Sequence, residues 1–392
     1  MLEISTFRFR VVYIVFYILG IGSLLPWNFF ITAKKYFQYK LRNTTEPWED
    51  DFSVQTDLQI QFEGALAVAA TVPNVIFNIC TAALAARVPV KLRTVSACVT
   101  VIAVFMITVC LVKIQTDSSA SSVFSASMFG LAGMFPVKYM QAVMSGQAIG
   151  GVFAAVCNII SIAAGSSVIQ SAFMYFILAT ITSVLALIGF VSLYFSDFSR
   201  YYMDYHIVDK DVVINTDDES EIESSTYVHV DKCEQRNIPN GTTPLRSASS
   251  YPLVLKAIWI EALGVGFTFF VTLTCFPALA SSIQSVSKIS SIWRDQYFSA
   301  VICFLLFNIG DWTSRVLAGI IKWPNSNQRT LILTMSILRV VFIPLLIMCN
   351  IEPRQDPESV VFRNDFYPLA FILLLGLTNG HLSTLCMMYG PK

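Results

Sequence analysis

Ten stretches of this chain are apolar for long enough to cross a bilayer, and no water-soluble fold buries that many. They run at about 11–31, 63–86, 93–113, 119–137, 140–165, 171–195, 255–278, 296–321, 329–349 and 365–388. A run of about 18 residues or more, helical at 1.5 Å per residue, spans a hydrocarbon core of about 30 Å. The 392 residues are 55% hydrophobic and only 13% charged, roughly half the charged fraction of a soluble domain. A single such run fits the buried helix of a soluble protein, but a series of them does not. The sequence therefore predicts an all-α polytopic membrane protein of about ten transmembrane helices. The first run opens after MLEISTFRFR and leads into further polar and aromatic signals, so it reads as a true span and not as a cleaved leader. The fourth, over SSASSVFSASMFGLAGMFPV, is the shortest and richest in Ser.

Basic residues in short loops set the orientation. Arg8 and Arg10 precede the first span, RVPVKLR (87–93) joins the second and third, Lys138 lies between the fourth and fifth, and KWPNSNQR (322–329) joins the eighth and ninth. All fall on one face, which is then the cytosolic one. The opposite face receives the loop holding Asn43-Thr44-Thr45, a glycosylation sequon at Asn43; a second sequon at Asn240 falls on the cytosolic side. Residues 197–250 contain no apolar run and include INTDDESEIESS, the composition of a disordered cytosolic linker. It divides the chain into an N-terminal six-helix bundle (1–196) and a C-terminal bundle of four helices (251–392). Two bundles joined by a central loop, with a solute site between them near the midplane, is a common plan of secondary transporters.

Several chemistries find no residues to carry them. There is no GxxxxGK[ST] phosphate loop, no HExxH and no carboxylate pair with a helical His partner in the spans, so neither an ATP motor nor an enzyme is indicated. The three His are scattered, and the nine Cys lie mostly inside apolar runs without a CxxC pair. They read as small packing residues, not as metal ligands or disulfides. With 26 basic and 26 acidic residues the net charge is zero, which gives no footing for nucleic acid. No cofactor is expected. Asp311 and Glu63 are the groups that would titrate if movement were coupled to protons.

Against this apolar background the buried polar residues stand out. FLLFNIGDWTSRVLAGII (304–321) carries Asn308, Asp311 and Arg315 in one span. Asp311 and Arg315 are one turn apart and share a face, with Asn308 on the same stripe. An ionisable side chain at mid-membrane costs roughly 3 kcal/mol on insertion scales, so the group must face the protein interior or a watery cavity. A salt bridge locking two helices explains two of these residues; a polar contact for a crossing solute explains all three. In the first span, GIGSLLPWNFF (20–30) places Pro26 where it frees a backbone carbonyl and invites a kink, followed by Trp27 and Asn28. Trp27 is either an interface anchor or a flat apolar face for a planar ligand. SGQAIGG (145–151) holds a GxxxG pair for close helix contact, with Gln147 inside it as a hydrogen-bonding group between helices or toward a ligand. Arg339 is a second intramembrane cation, expected to be paired or bound to carbonyls, and Asn379 lies in the last span.

These motifs resemble the equilibrative nucleoside transporter family. GIGSLLPWNFF, FGLAG with SGQAIGG (129–151), FPA (276–278), FNIGDWTSR (307–315), RVVFIPLLIMCN (339–350) and LTNGHLSTLCMMYGPK (377–392) run in family order along nearly the whole chain. LLPWNFFITAK (24–34) and SVVFRNDFYP (359–368) look most like the branch of lysosomal membranes; other endomembranes or the plasma membrane are the alternatives. The resemblance implies a fold akin to the major facilitator superfamily and facilitative movement of purine and pyrimidine nucleosides by alternating access. It assigns Trp27 to the nucleobase, Arg315 to the ribose hydroxyls, Asp311 to holding Arg315, and Asn308 and Ser125 to the substrate-binding set. Pro26, Asn28, Gln147, Arg339 and Asn379 take structural or gating roles. The family's eleventh helix is absent after YGPK, and the fourth looks shortened after TDSSA (116–120). The alternatives are therefore a shortened form that binds full-length partners without transporting, or a related carrier of another organic solute.

Overall fold

The computed structural model describes residues 2–33, 36–37, 92, 94–97, 99–102, 131–132, 134–201, 251–287, 291–351 and 360–390. Among the described residues seven helices are long and apolar enough to cross a membrane, and each coincides with a predicted span. The predicted span at 63–86 lies outside the described residues, those at 93–113 and 119–137 are described only in fragments, and most of the 197–250 linker lies outside them too.

Helix α1 (Leu2–Thr32) is continuous through Pro26, α2 covers Val137–Ala163 and α3 covers Val168–Leu193. The turn between α2 and α3 is short. Gly165, at φ 62°, takes the left-handed conformation that ends α2, and Ser167 caps α3 by accepting from the amide of Gln170 at 3.3 Å. α1 packs lengthwise against α2 at a pair of glycines. A Cβ on Gly146 would strike the carbonyl of Tyr17, and one on Gly20 would strike the carbonyl of Val143. The second glycine of the GxxxG motif is looser: a Cβ on Gly150 would reach Leu25 Cβ at 3.4 Å, an ordinary contact. Around this seam Phe16, Leu19, Tyr139, Val143 and Phe190 form a buried core.

In the second half, α4 (Tyr251–Thr274) continues into a wider π-type segment, Cys275–Leu279. Phe276, which precedes Pro277, leaves helical geometry for φ −125°, ψ 132°, as the steric demand of a following proline favours. The next span begins with π-type turns over Trp293–Tyr297 and Ser299–Leu305, then tightens into α5 (Leu306–Ile320). α6 (Arg329–Leu338) passes through a 3-10 turn at Arg339–Val341 into α7 (Phe342–Ile347), and α8 covers Phe366–Tyr389.

Side-chain registers fix the directions. Gly319 lies by Gln141, Arg315 by Met144 and Asn308 by Gly151, so α5 runs antiparallel to α2. Gly376 lies by Phe307 and Gly380 by Asp311, so α8 runs parallel to α5; Thr272 meets Asn379, so α4 opposes both. Each described span thus crosses in the sense that the loop charges require. One mixed cluster joins the halves, with Ile31 and Ala155 among Phe276, Phe298, Phe304 and Phe307.

Candidate functional site

α5 buries one polar stripe, Asn308, Asp311, Ser314 and Arg315, between α2 on one side and α8 on the other. Arg315 is 3% exposed and Asp311 4%. Nε of Arg315 donates to Oδ2 of Asp311 at 2.9 Å, the one-turn pairing expected from their spacing. The guanidinium then reaches out of its own half: Nη1 donates to the carbonyl of Met144 in α2 at 3.2 Å and lies 3.6 Å from the Met144 sulfur. This buried cation is held on one side by its own helix and on the other by the opposite half of the molecule.

The second oxygen of Asp311 is also occupied. Nδ2 of Asn379 donates to Oδ1 at 2.7 Å. The approach is possible because α8 presents a glycine there; a Cβ on Gly380 would overlap the Asp311 carbonyl and the Ser314 hydroxyl. The other end of the Asn379 amide accepts from Thr272 Oγ1 at 2.7 Å, and Thr272 Oγ1 in turn accepts from Nη2 of Arg339 at 2.8 Å. Arg339, 2% exposed, completes its shell with the carbonyls of Thr268 (2.5 Å) and Leu375 (3.2 Å) and the hydroxyl of Thr378 (3.0 Å). It meets the expectation of carbonyl contact, and its neighbours share a single carboxylate, Asp311, with Arg315.

Trp27 is half-buried and touches both the N-half aromatics and the cluster of mixed origin. It stacks on Phe30 with centroids 6.0 Å apart and an interplanar angle of 18°. Phe276 and Phe307 stack more closely, at 4.0 Å and 12°. Pro26 is buried in α1 just before this group. Asn28 is buried, and its Nδ2 has no hydrogen-bond partner among the described residues. Gln147 donates to Ser23 Oγ at 3.0 Å and so ties α2 to α1. Asn308 donates to the carbonyl of Phe304 at 2.7 Å within its own helix, with its Oδ1 against Gly151. Ser125 and Asn43 lie outside the described residues.

Four participants escaped the sequence reading: Met144, Thr268, Thr272 and Tyr17. Tyr17 accepts a hydrogen bond from Trp312 Nε1 at 3.0 Å, a further link between halves. Thr268 and Thr272 share a helix face at i, i+4, which was the readable hint; Met144 contributes through its backbone, which no side chain announces. Among the described residues no cluster of His, Cys, Asp and Glu could hold a metal.

A family model described as "Nucleoside transporter" matches residues 106–392. Equilibrative nucleoside transporter 1 of Rattus norvegicus is 33% identical over 420 residues, covering 98% of this chain and 90% of the relative. Equilibrative nucleoside transporter 3 of the same species is 34% identical over 403 residues, covering 98% and 82%. Equilibrative nucleoside transporter 1 of Homo sapiens is 33% identical over 419 residues, covering 98% and 90%.

Proposed function

We propose, from the premise that this chain belongs to the equilibrative nucleoside transporter family, that it moves nucleosides across a membrane by facilitated passage and performs no catalysis. The observation that carries the reading is the Asp311–Arg315 pair at the seam between the halves. A nucleoside is neutral, flat at one end and rich in hydroxyls at the other. Arg315 supplies charge-assisted donors for the ribose: Nε is committed to Asp311 and Nη1 to Met144, while Nη2 has no acceptor among the described residues. Trp27 supplies the flat face for the base. Asp311 holds the guanidinium, and Asn308 and Ser125 complete the set. Pro26, Asn28, Gln147 and Asn379 serve the helix contacts around it.

The passage is by alternating access, with ten spans in bundles of six and four about the 197–250 linker. The antiparallel register of α2 with α5 favours this plan, because it makes one helix pair a hinge line between the halves. Asn43 is the glycosylation acceptor on the outer face. Identities of 33% and 34% to transporters 1 and 3 do not separate the branches, so the lysosomal assignment rests on LLPWNFFITAK and SVVFRNDFYP. The test is uptake of labelled uridine and adenosine in cells lacking nucleoside transport, with protein at the membrane quantified by a tag. Uptake by the native chain that falls at least about tenfold in Arg315→Ala, the loss expected for a charged hydrogen bond, supports the reading. Absence of uptake by correctly placed native chain refutes it.

A further inference from the structure

We infer that Arg339, acting through Thr272 and Asn379, is a positioning residue for Arg315, and that this relay sets how strongly the transporter discriminates for ribose hydroxyls. The inference rests on the proposal that Arg315 meets the ribose. Arg339 itself makes hydrogen bonds only within its own half, to Thr268, Thr272, Leu375 and Thr378. Its influence on the seam must pass through other groups, and the donor count shows how.

Thr272 has one hydroxyl proton and two acceptors in reach, the Thr268 carbonyl at 2.8 Å and Asn379 Oδ1 at 2.7 Å. Arg339 resolves the choice. Its Nη1 occupies the Thr268 carbonyl, and its Nη2 donates into the Thr272 oxygen. The hydroxyl proton is thereby turned toward Asn379. An Asn379 oxygen held there leaves its amide N–H groups facing Asp311, the only orientation that does not set an oxygen against a carboxylate. With Oδ1 fixed by Asn379, Asp311 offers Oδ2 to Nε of Arg315. A guanidinium is a rigid fork, so fixing Nε aims both Nη groups at α2. All five side chains are at most 6% exposed, so no water competes at any link. Every donor in the series points from Arg339 toward Asp311, and reversing one member reverses the rest.

The test uses the full chain and compares uridine with 2′,3′-dideoxyuridine, which lacks both secondary hydroxyls. The readout is the ratio of their KM values, which does not depend on how much protein reaches the membrane. Thr272→Val keeps the shape and removes the hydroxyl; it is expected to cut the ratio about tenfold, mainly by raising the uridine KM. Thr272→Ser is expected to return the ratio to the native value. Arg339→Lys keeps the buried cation but cannot cover the Thr268 carbonyl and the Thr272 oxygen together, and is expected to act as Thr272→Val does; it serves if the valine variant fails to reach the membrane. Arg315→Lys is the reference. If it moves the ratio while Thr272→Val and Arg339→Lys leave it native, the relay is overturned and the substrate reading stands. If Arg315→Lys also leaves it native, Arg315 does not read the ribose and both fall.

Discussion

Neutralising Asp311 alone strands Arg315 as a buried cation with one remaining backbone acceptor. Breaking a buried pair from one side costs about 3–5 kcal/mol, whereas replacing both charges by apolar groups of similar volume is far milder. Asp311→Leu and Arg315→Met are each expected to lower the thermal midpoint of detergent-solubilised protein, and the double variant to lower it less than the sum of the two. Simple additivity in that heat challenge would mean the charges do not share an environment. The pair was legible in the sequence because its partners are one turn apart. The surroundings of Arg339 were not, since its acceptors Thr268, Thr272 and Thr378 lie 71, 67 and 39 positions away. A lone cation in an apolar run announces that partners exist, and only the packing of α4, α6 and α8 names them.

The helices themselves were written plainly in hydropathy, and all seven described spans lie where their apolar runs do. What hydropathy does not encode is winding: the π-type turns before α5 and the extended Phe276 in the FPA motif change which side chains face the seam. The GxxxG motif likewise told of a close contact without telling which glycine makes it. Gly146→Ala is expected to destabilise the α1–α2 seam by more than 1 kcal/mol and Gly150→Ala by about 0.5 kcal/mol or less, read as midpoints in the same heat challenge. A second contrast concerns ion pairs. Glu261 in α4 is 5% exposed and lies 3.0 Å from Nε of Arg329 at the start of α6, close but poorly aligned, so the contact is Coulombic and not a directed hydrogen bond. Arg200 and Asp197 pair at 3.1 Å in the open. Arg329→Met is expected to destabilise by a few kcal/mol because it leaves a buried carboxylate, and Arg200→Met by about 0–1 kcal/mol. Equal effects would show that Glu261 is served by some other cation.

Across the whole molecule the halves touch at three heights: Gln141 with Gly319, Met144 with Arg315, and Gly151 with Asn308. If the halves rock about this seam, a covalent tie near the loop end must stop the cycle. Gln141→Cys with Gly319→Cys places two thiols where glycine now lies against the glutamine side chain. Oxidation is expected to abolish uridine uptake by the double variant and reduction to restore it, with each single variant unaffected; full uptake by tied protein would show that this end never parts. The relay from Arg339 to Arg315 has a last consequence, one of descent. Because its donors all point one way, Thr272, Asn379 and Arg339 cannot be exchanged singly without leaving two donors or two acceptors face to face. Among related sequences they should be inherited as a block, lost together where they are lost at all, while the apolar residues around them drift freely.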